Sequence, residues 1–515
     1  MKKIVIVVVV LVALLVVAPW GVGKLAEQRI DHGLAKLTEI APYLKVVESK
    51  YTTGWFKSEQ VVTFEAFGPW MKALNEAMKK EGVDVGGVDP AAESDASRAD
   101  APESDAPAPA VDSESDPAVV ASADAVPPPV AIPPNPLRFT VRNEILHGPV
   151  LGFSGLGIAR VDSHLILSDD VRKEITEIFG PKDPLEVSTR VGFFGGGTTT
   201  FKSEGRTIKP AQGKTEFSWE TFKVALGYSR NADAFELDGK WPKLDVKNAE
   251  ENSHFVMTDM TMDGEGKRIS GDLYGGDFKF GIDKLSAVGK TAEPFELNDL
   301  ELTEVVDSKG DFTGVSIKMG SGEVKFKELT SFGIALKEIH YDVGVRRLHT
   351  ATLAKIAADM KAMYGRPLMT VAAIDEDMIS TFKISGAELL KYDPEFVIDR
   401  IGIVTADGDG FIKGLVTLKG ATVEDFGSGS MGLIGKIVAD ITIDLSEKMI
   451  QKFPNGSTGA GAMVDAGYAK RQGDRLICKI VFAKGQLTVN GKPQAIPGLG
   501  GPPPGEGEEA PVPQE

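Results

Sequence analysis

Two lysines, Lys2 and Lys3, precede an uncharged apolar stretch that ends at Gly23. The uncharged run at residues 4–23 would make a helix about 30 Å long, close to the hydrocarbon thickness of a bilayer. Its densest part, residues 4–18, also fits the central region of a cleaved signal peptide, but Pro19 directly after the small residue Ala18 disfavours cleavage there. We therefore predict a single uncleaved membrane span, with the amino terminus in the cytoplasm and the chain after Lys24 across the membrane.

Beyond residue 137 the chain shows the two-residue alternation of half-buried strands. The alternating apolar positions include Phe278, Phe280 and Ile282; Phe295 and Leu297; Leu300 and Leu302; Val315, Ile317 and Met319; and Val324 and Phe326. The alternation slips by one residue at Asn298-Asp299, which predicts a bulge or bend. Turns are predicted at Asp263-Gly264, Gly275-Gly276, Ser308-Lys309-Gly310 and Gly320-Ser321-Gly322. The pattern predicts an antiparallel meander with one apolar and one polar face.

Helical periodicity occurs at intervals along the chain. It predicts helices at Lys24–Ala41, Asp170–Phe179, Thr350–Tyr364 and Asp444–Phe453. The predicted fold class is therefore α+β and β-dominated, in which a transmembrane helix precedes a large antiparallel meander sheet with a few packed helices.

Composition divides the chain into five parts. Residues 1–23 are the signal anchor and 24–82 a helix with the first strands. Residues 83–136 carry eleven acidic residues, one arginine and mainly small side chains, so burial cannot offset the entropy of ordering them. Residues 137–495 are the β-rich domain, and 496–515 are a second disordered segment. The two disordered segments carry −14 of the net charge of −17, which leaves no basic surface for nucleic acid.

The sequence offers little catalytic chemistry. Cys478 is the only cysteine, which excludes an intramolecular disulfide and a thiolate zinc site, and its apolar neighbours predict burial. His147 could titrate near neutral pH or face a ligand, but a bend at Gly148-Pro149 favours a ring that satisfies a backbone carbonyl. The other histidines show no spacing typical of metal ligands. Asp407-Gly408 is better explained as a hairpin turn than as a calcium loop.

Three separated motifs stand out along the chain: Tyr51, Gly54, Trp55, Phe56 and Ser58; His147, Gly148 and Pro149; and Asn490, Gly491, Lys492 and Pro493. In these motifs the chain resembles the YdgA family of bacterial membrane-anchored envelope proteins. The resemblance implies a bacterial inner-membrane protein with most of its chain in the periplasm, and it brings no catalytic residue. A looser analogy of architecture links the chain to AsmA-like proteins, which pair an amino-terminal anchor with a long curved sheet. The motif residues are interpreted as structural; Trp55 and Phe56 fit a core position better than the membrane boundary.

These observations lead to a non-enzymatic expectation. We expect a membrane-anchored periplasmic protein that binds an apolar ligand, such as a lipid, or an envelope protein along its sheet. An assembly factor without a ligand is the alternative, and an envelope hydrolase is less well supported. Apart from the membrane bound through residues 4–23, we predict no cofactor, no metal and no nucleic-acid partner.

Overall fold

The computed structural model describes most of the chain beyond residue 44. The described residues are 34–35, 44–66, 68, 137–151, 155–167, 169–209, 214–290, 294–364, 385–422, 425 and 430–495. The predicted span at 4–23 and the two predicted disordered segments lie outside them, as does most of the predicted helix 24–41. Within the described part of the chain, no helix is both long enough and apolar enough to cross a membrane.

The described residues form one antiparallel sheet. Its first nine strands are β1 Leu44–Thr52, β2 Lys57–Ala66, β3 Leu137–His147, β4 Ala159–Ile166, β5 Glu186–Val191, β6 Gly197–Ser203, β7 Arg206–Ile208, β8 Thr215–Trp219 and β9 Phe222–Tyr228. The longest strands follow: β10 Ala234–Asn248, β11 Ser253–Ser270, β12 Leu273–Val288, β13 Phe295–Lys309, β14 Phe312–Ser321, β15 Val324–Phe326 and β16 Leu336–His349. The remaining strands are β17 Glu395–Thr405, β18 Gly408–Leu418, β19 Ile437–Ser446, β20 Lys470–Gln472, β21 Arg475–Ala483, β22 Gln486–Val489 and β23 Lys492–Gln494.

Helices connect some of the strands. They are α1 Asp169–Phe179, α2 Lys327–Ser331, α3 Thr350–Tyr364, α4 Ser430–Ile434, α5 Glu447–Lys452 and α6 Gly456–Asp465. Residues 385–390 are also helical. The prediction of a β-dominated fold with a large antiparallel sheet and few helices is confirmed.

The sheet is a meander of antiparallel strands. Most strands pair with the strand before them, while β7 and β8 continue β6 and β9 past a break, and β15 continues β14. All the described strands belong to this one sheet. Among the described residues, its end strands β1 and β23 each pair on one side only.

A line of breaks crosses seven neighbouring strand positions. In a regular strand, one residue lies between successive side chains of the same face. At each break, two residues lie between them. The paired residues are 204–205, 220–221, 242–243, 258–259, 283–284, 298–299 and 322–323. Asp259 and Asp299 have positive φ angles of 47° and 51° on this line, which rotates the chain locally. The slip predicted at Asn298-Asp299 is thus confirmed, and it belongs to a feature of the whole sheet.

Some local predictions were wrong. Asp263-Gly264 and Gly275-Gly276 lie inside β11 and β12, because each glycine sits on a strand that pairs on both sides. Gly320-Ser321-Gly322 marks the break between β14 and β15, not a reversal of the chain. The turn predicted at Ser308-Lys309-Gly310 is confirmed between β13 and β14.

Two predicted helices are confirmed and a third begins later than expected. The helices predicted at Asp170–Phe179 and Thr350–Tyr364 are present as α1 and α3. The helix predicted from Asp444 begins only at Glu447, because Leu445 continues the alternation of β19. Ser446 then caps the helix by accepting a hydrogen bond from the Met449 backbone N–H.

We predict that an ion cluster on the polar face makes stability depend on pH. The Glu296 carboxylate accepts hydrogen bonds from Lys284 (2.7 Å) and Lys325 (2.8 Å), which join β12, β13 and β15. The bond from Lys284 is the main cause that lowers the pKa of Glu296 to about 2. A lowered carboxyl pKa stabilises the fold above the unfolded value of about 4.3 and loses that effect as pH falls toward 2.

Denaturant titrations of Glu296→Gln from pH 7 to pH 2 would measure this effect. The variant should be less stable than the natural protein at pH 7, and the difference should shrink below about pH 4.3. Glu301→Gln is the matched control, since Glu301 lies on the same strand without an ion pair among the described residues. A difference that stays constant with pH would contradict the prediction.

Candidate functional site

Three rows of side chains cross eleven strands on one face of the sheet. The first row is Tyr228, Phe235, Gly266, Gly276, Val306, Val315, Val345, Phe396, Val416, Ala439 and Phe482. The second is Leu226, Leu237, Gly264, Phe278, Glu304, Ile317, Val343, Ile398, Gly414, Ile441 and Ile480. The third is Val224, Gly239, Met262, Phe280, Leu302, Met319, Tyr341, Ile401, Ile412, Ile443 and Cys478. We call these three rows the apolar face.

The apolar face is large and partly open to solvent. At the spacings of a β-sheet it extends about 50 Å across the strands and about 14 Å along them. Six of its large side chains, distributed over all three rows, are between 36% and 42% exposed: Leu226, Phe235, Ile317, Met319, Tyr341 and Phe396. The rows thus cover about 700 Å² of the sheet, and the exposed apolar side chains lie along all three of them.

At one end of the apolar face, glycines take the place of larger side chains and neighbouring aromatic rings lie over them. The Phe235 ring lies over Gly266, where a Cβ atom would be 2.3 Å from the ring. Tyr228 lies in the same way over Gly197 on β6. These residues and Gly276 contribute to the lining of an open cavity of about 470 Å³, which Glu236, Glu265 and Lys267 also line. Aromatic rings that cover neighbouring glycines give this part of the face a smooth apolar floor.

Helices border the apolar face. The Phe179 ring at the end of α1 lies 6.0 Å from the Trp219 ring of β8. Met449 of α5 is buried against Gly410 of β18, and α3 contacts β11, β12 and β16. Lys361 of α3 also pairs with Asp272 at 3.2 Å, in the turn between β11 and β12.

The two amino-terminal motifs meet in one corner of the sheet. The His147 ring Nδ1 lies 3.2 Å from the Trp55 carbonyl, so the N–H form of Nδ1 donates to it. The His147 backbone N–H donates to the Phe56 carbonyl at 2.9 Å. Gly148 allows close backbone approach, since a Cβ atom there would be 1.7 Å from the Gly157 carbonyl oxygen. His147 is 2% exposed, and its Nε2 atom has no partner among the described residues.

Other residues of this corner have packing and turn roles. The Gly54 backbone N–H donates to the Ser58 hydroxyl at 3.2 Å, while Tyr51 packs against the cluster around Ile145. The expectation that Trp55 and Phe56 belong to the core is wrong, because they lie at the tip of the β1–β2 hairpin and are 50% and 54% exposed. Their backbone carbonyls accept the two hydrogen bonds from His147 that hold the corner together.

A polar ladder crosses the first four strands on the same side as His147. Gln60 donates to Ser49 at 3.1 Å and accepts from Asn143 at 3.1 Å, and Ser163 donates to Asn143 at 2.7 Å. Gln60 is fully buried. Because burial of an unpaired amide is costly, this ladder fixes the register of β1 to β4. No sequence motif identified it, since its members become neighbours only through strand pairing.

The carboxy-terminal motif forms a two-residue hairpin turn between β22 and β23. Asn490 and Gly491 have the positive φ angles, 53° and 83°, that such turns need. The Asn490 side chain accepts from the Lys479 N–H at 3.0 Å and donates to the carbonyls of Gly467 (3.2 Å) and Tyr468 (3.1 Å). Lys492 lies beside Gly467, and Pro493 is paired with Thr488 in the hairpin.

The described residues show no arrangement that would bind a metal ion, as judged by groups of three or more His, Cys, Asp and Glu side chains. Asp409, from the predicted Asp407-Gly408 turn region, pairs with Arg475, which also binds Asp444 at 2.6 Å. Cys478 is buried as predicted, and burial raises the pKa of its thiol.

The described residues thus define a protein built on one large antiparallel β-sheet with one extended apolar face. The chain belongs to the family described as a bacterial protein of unknown function (DUF945), whose family model matches residues 1–497. No curated protein and no solved structure matches the chain.

We predict that Asn490 stabilises the carboxy-terminal end of the sheet. Asn490→Asp removes the two donated hydrogen bonds and places a carboxylate against two carbonyls, which should cost about 1–3 kcal/mol of unfolding free energy. Asn252→Asp is the matched control, because Asn252 also has a positive φ angle of 47°, is exposed, and makes no side-chain hydrogen bond among the described residues. Equal midpoints of denaturant unfolding for the two variants would contradict a role for the side chain.

Proposed function

We propose that this protein is a YdgA-like, membrane-anchored periplasmic protein that binds lipid acyl chains along its apolar face, without catalysis. The observation that carries the proposal is the continuity of the three rows across eleven strands. A folded chain gains stability by burying such residues, yet six of the largest remain more than a third exposed. A ligand that covers these side chains removes their apolar surface from water, which favours binding.

The dimensions favour acyl chains as the occupant. The hydrocarbon core of a bilayer is about 30 Å thick, so one acyl chain extends about 15 Å, which matches the width of the face and is well below its length. Each methylene removed from water contributes about 0.8 kcal/mol. A flexible acyl chain obtains this free energy along any part of a continuous apolar surface, whereas a folded protein partner needs shape complementarity.

Mass spectrometry of the detergent-extracted protein would test the proposal, with co-purifying lipid expected. Met319→Glu should lower the lipid-to-protein ratio about tenfold, because a carboxylate on this face cannot be buried without a partner. Thr303→Glu is the matched control: it places the same charge on the polar face between Lys279 and Lys318. Lipid-free natural protein, or equal loss in both variants, would contradict acyl-chain binding and favour an assembly factor.

The anchor predicted over residues 4–23 is part of the same proposal. Alkaline extraction should leave the chain in the membrane fraction, because a span of this length does not depend on ionic contacts. Deletion of residues 1–23 should release it. A full-length chain recovered in the soluble fraction would contradict the anchor.

A further inference from the structure

One carboxylate interrupts the apolar face. Among the thirty-three positions of the three rows, Glu304 is the only charged residue. It lies in the second row of β13, with Phe278 opposite on β12 and Ile317 opposite on β14. Leu302 and Val306 flank it along its own strand, on the same face.

Glu304 lacks a counterion within the protein. It is exposed, and among the described residues it makes no ion pair and no hydrogen bond. On the polar face of the same strand, by contrast, the Glu296 carboxylate binds two lysines. A ligand that covers the middle of the apolar face must therefore bring a cation or a hydrogen-bond donor to Glu304, because burial of an unpaired carboxylate is strongly unfavourable.

The position of Glu304 defines how an amphiphile would lie. Counting β14 and β16 as neighbours, β13 is the fifth of the eleven strands. The apolar face thus extends about 19 Å from Glu304 toward β9 and about 29 Å toward β21. Each arm is longer than the roughly 15 Å of one acyl chain, so a head group above β13 leaves room for chains on both sides.

We propose that Glu304 is the polar recognition residue of the apolar face, and that the ligand is an amphiphile whose head group carries a cationic amine. The inference depends on the proposed function and adds the class of lipid. The amine pairs with the carboxylate while the acyl chains cover the rows on either side, so both parts of the ligand find complementary groups.

Competition between two lipids would test the proposal. Delipidated full-length protein is given mixed detergent micelles with equal amounts of phosphatidylethanolamine, which has a primary amine, and phosphatidylglycerol, which has none. The bound lipids are then quantified by mass spectrometry. The natural protein should enrich the amine lipid about tenfold, the ratio that corresponds to roughly 1.4 kcal/mol.

Three variants make the result specific. Glu304→Gln should bring the bound ratio to that of the micelles, and Glu304→Lys should reverse the preference toward phosphatidylglycerol. Glu301→Gln, which removes a carboxylate from the polar face of the same strand, should behave as the natural protein. The charge reversal produces a gain of binding, which a variant that fails to fold cannot imitate.

The outcomes separate this inference from the proposed function. Natural protein that binds no lipid contradicts both. Natural protein that binds the two lipids equally, or a Glu304→Gln variant that keeps the enrichment, overturns only the role of Glu304. Self-association of Glu304→Gln with an unchanged lipid ratio also overturns it, since the carboxylate would then serve to keep the apolar faces of two copies apart.

Discussion

Cross-strand register is the constraint on which the structure depends. Side chains alternate between the two faces of a strand, so a slip of one residue would move every apolar side chain of that strand to the polar face. The rows on the apolar face exist because eleven strands keep their registers together, as when Phe280 is paired with both Met262 and Leu302. Register is maintained by the ladder hydrogen bonds and by the turns between neighbouring strands.

The motifs on which the YdgA resemblance rests lie at the two ends of this sheet. His147 connects β3 to the β1–β2 hairpin through the carbonyls of Trp55 and Phe56, and Asn490 connects the last hairpin to β21 and to the segment after α6. An open sheet has free edges, and unpaired edge groups invite unwanted strand addition. Motifs that fix the end strands therefore protect the registers between them, and the binding proposed for the apolar face involves none of the motif residues.

Much of the fold was predictable from local pattern. The alternation at Phe278, Phe280 and Ile282 identified β12, and the slip at Asn298-Asp299 identified a break, because both signals are contained in a single strand. Turns were wrongly predicted where a glycine lies inside a paired strand, as at Gly264, because strand pairing outweighs the turn preference of glycine. The glycine-rich helix α6 gave no periodic signal, since its buried side is formed by small residues such as Ala460, which packs against Ala469 and Leu476 after the helix. The sequence alone did not show that Glu304 is a single charge on the apolar face. Its neighbours Phe278 and Ile317 are known only once the strands are paired.

The aligned breaks have a mechanical consequence. Seven interruptions at one level form a crease across the sheet, and along a crease a sheet can fold without losing ladder bonds, because those bonds are already interrupted there. Stiffness is then unequal: the long strands resist bending over their uninterrupted parts, while the line from residue 204 to residue 323 offers little resistance. Bending of the surface would therefore concentrate on this line, at backbone positions such as Asp259 and Asp299 where the chain already turns.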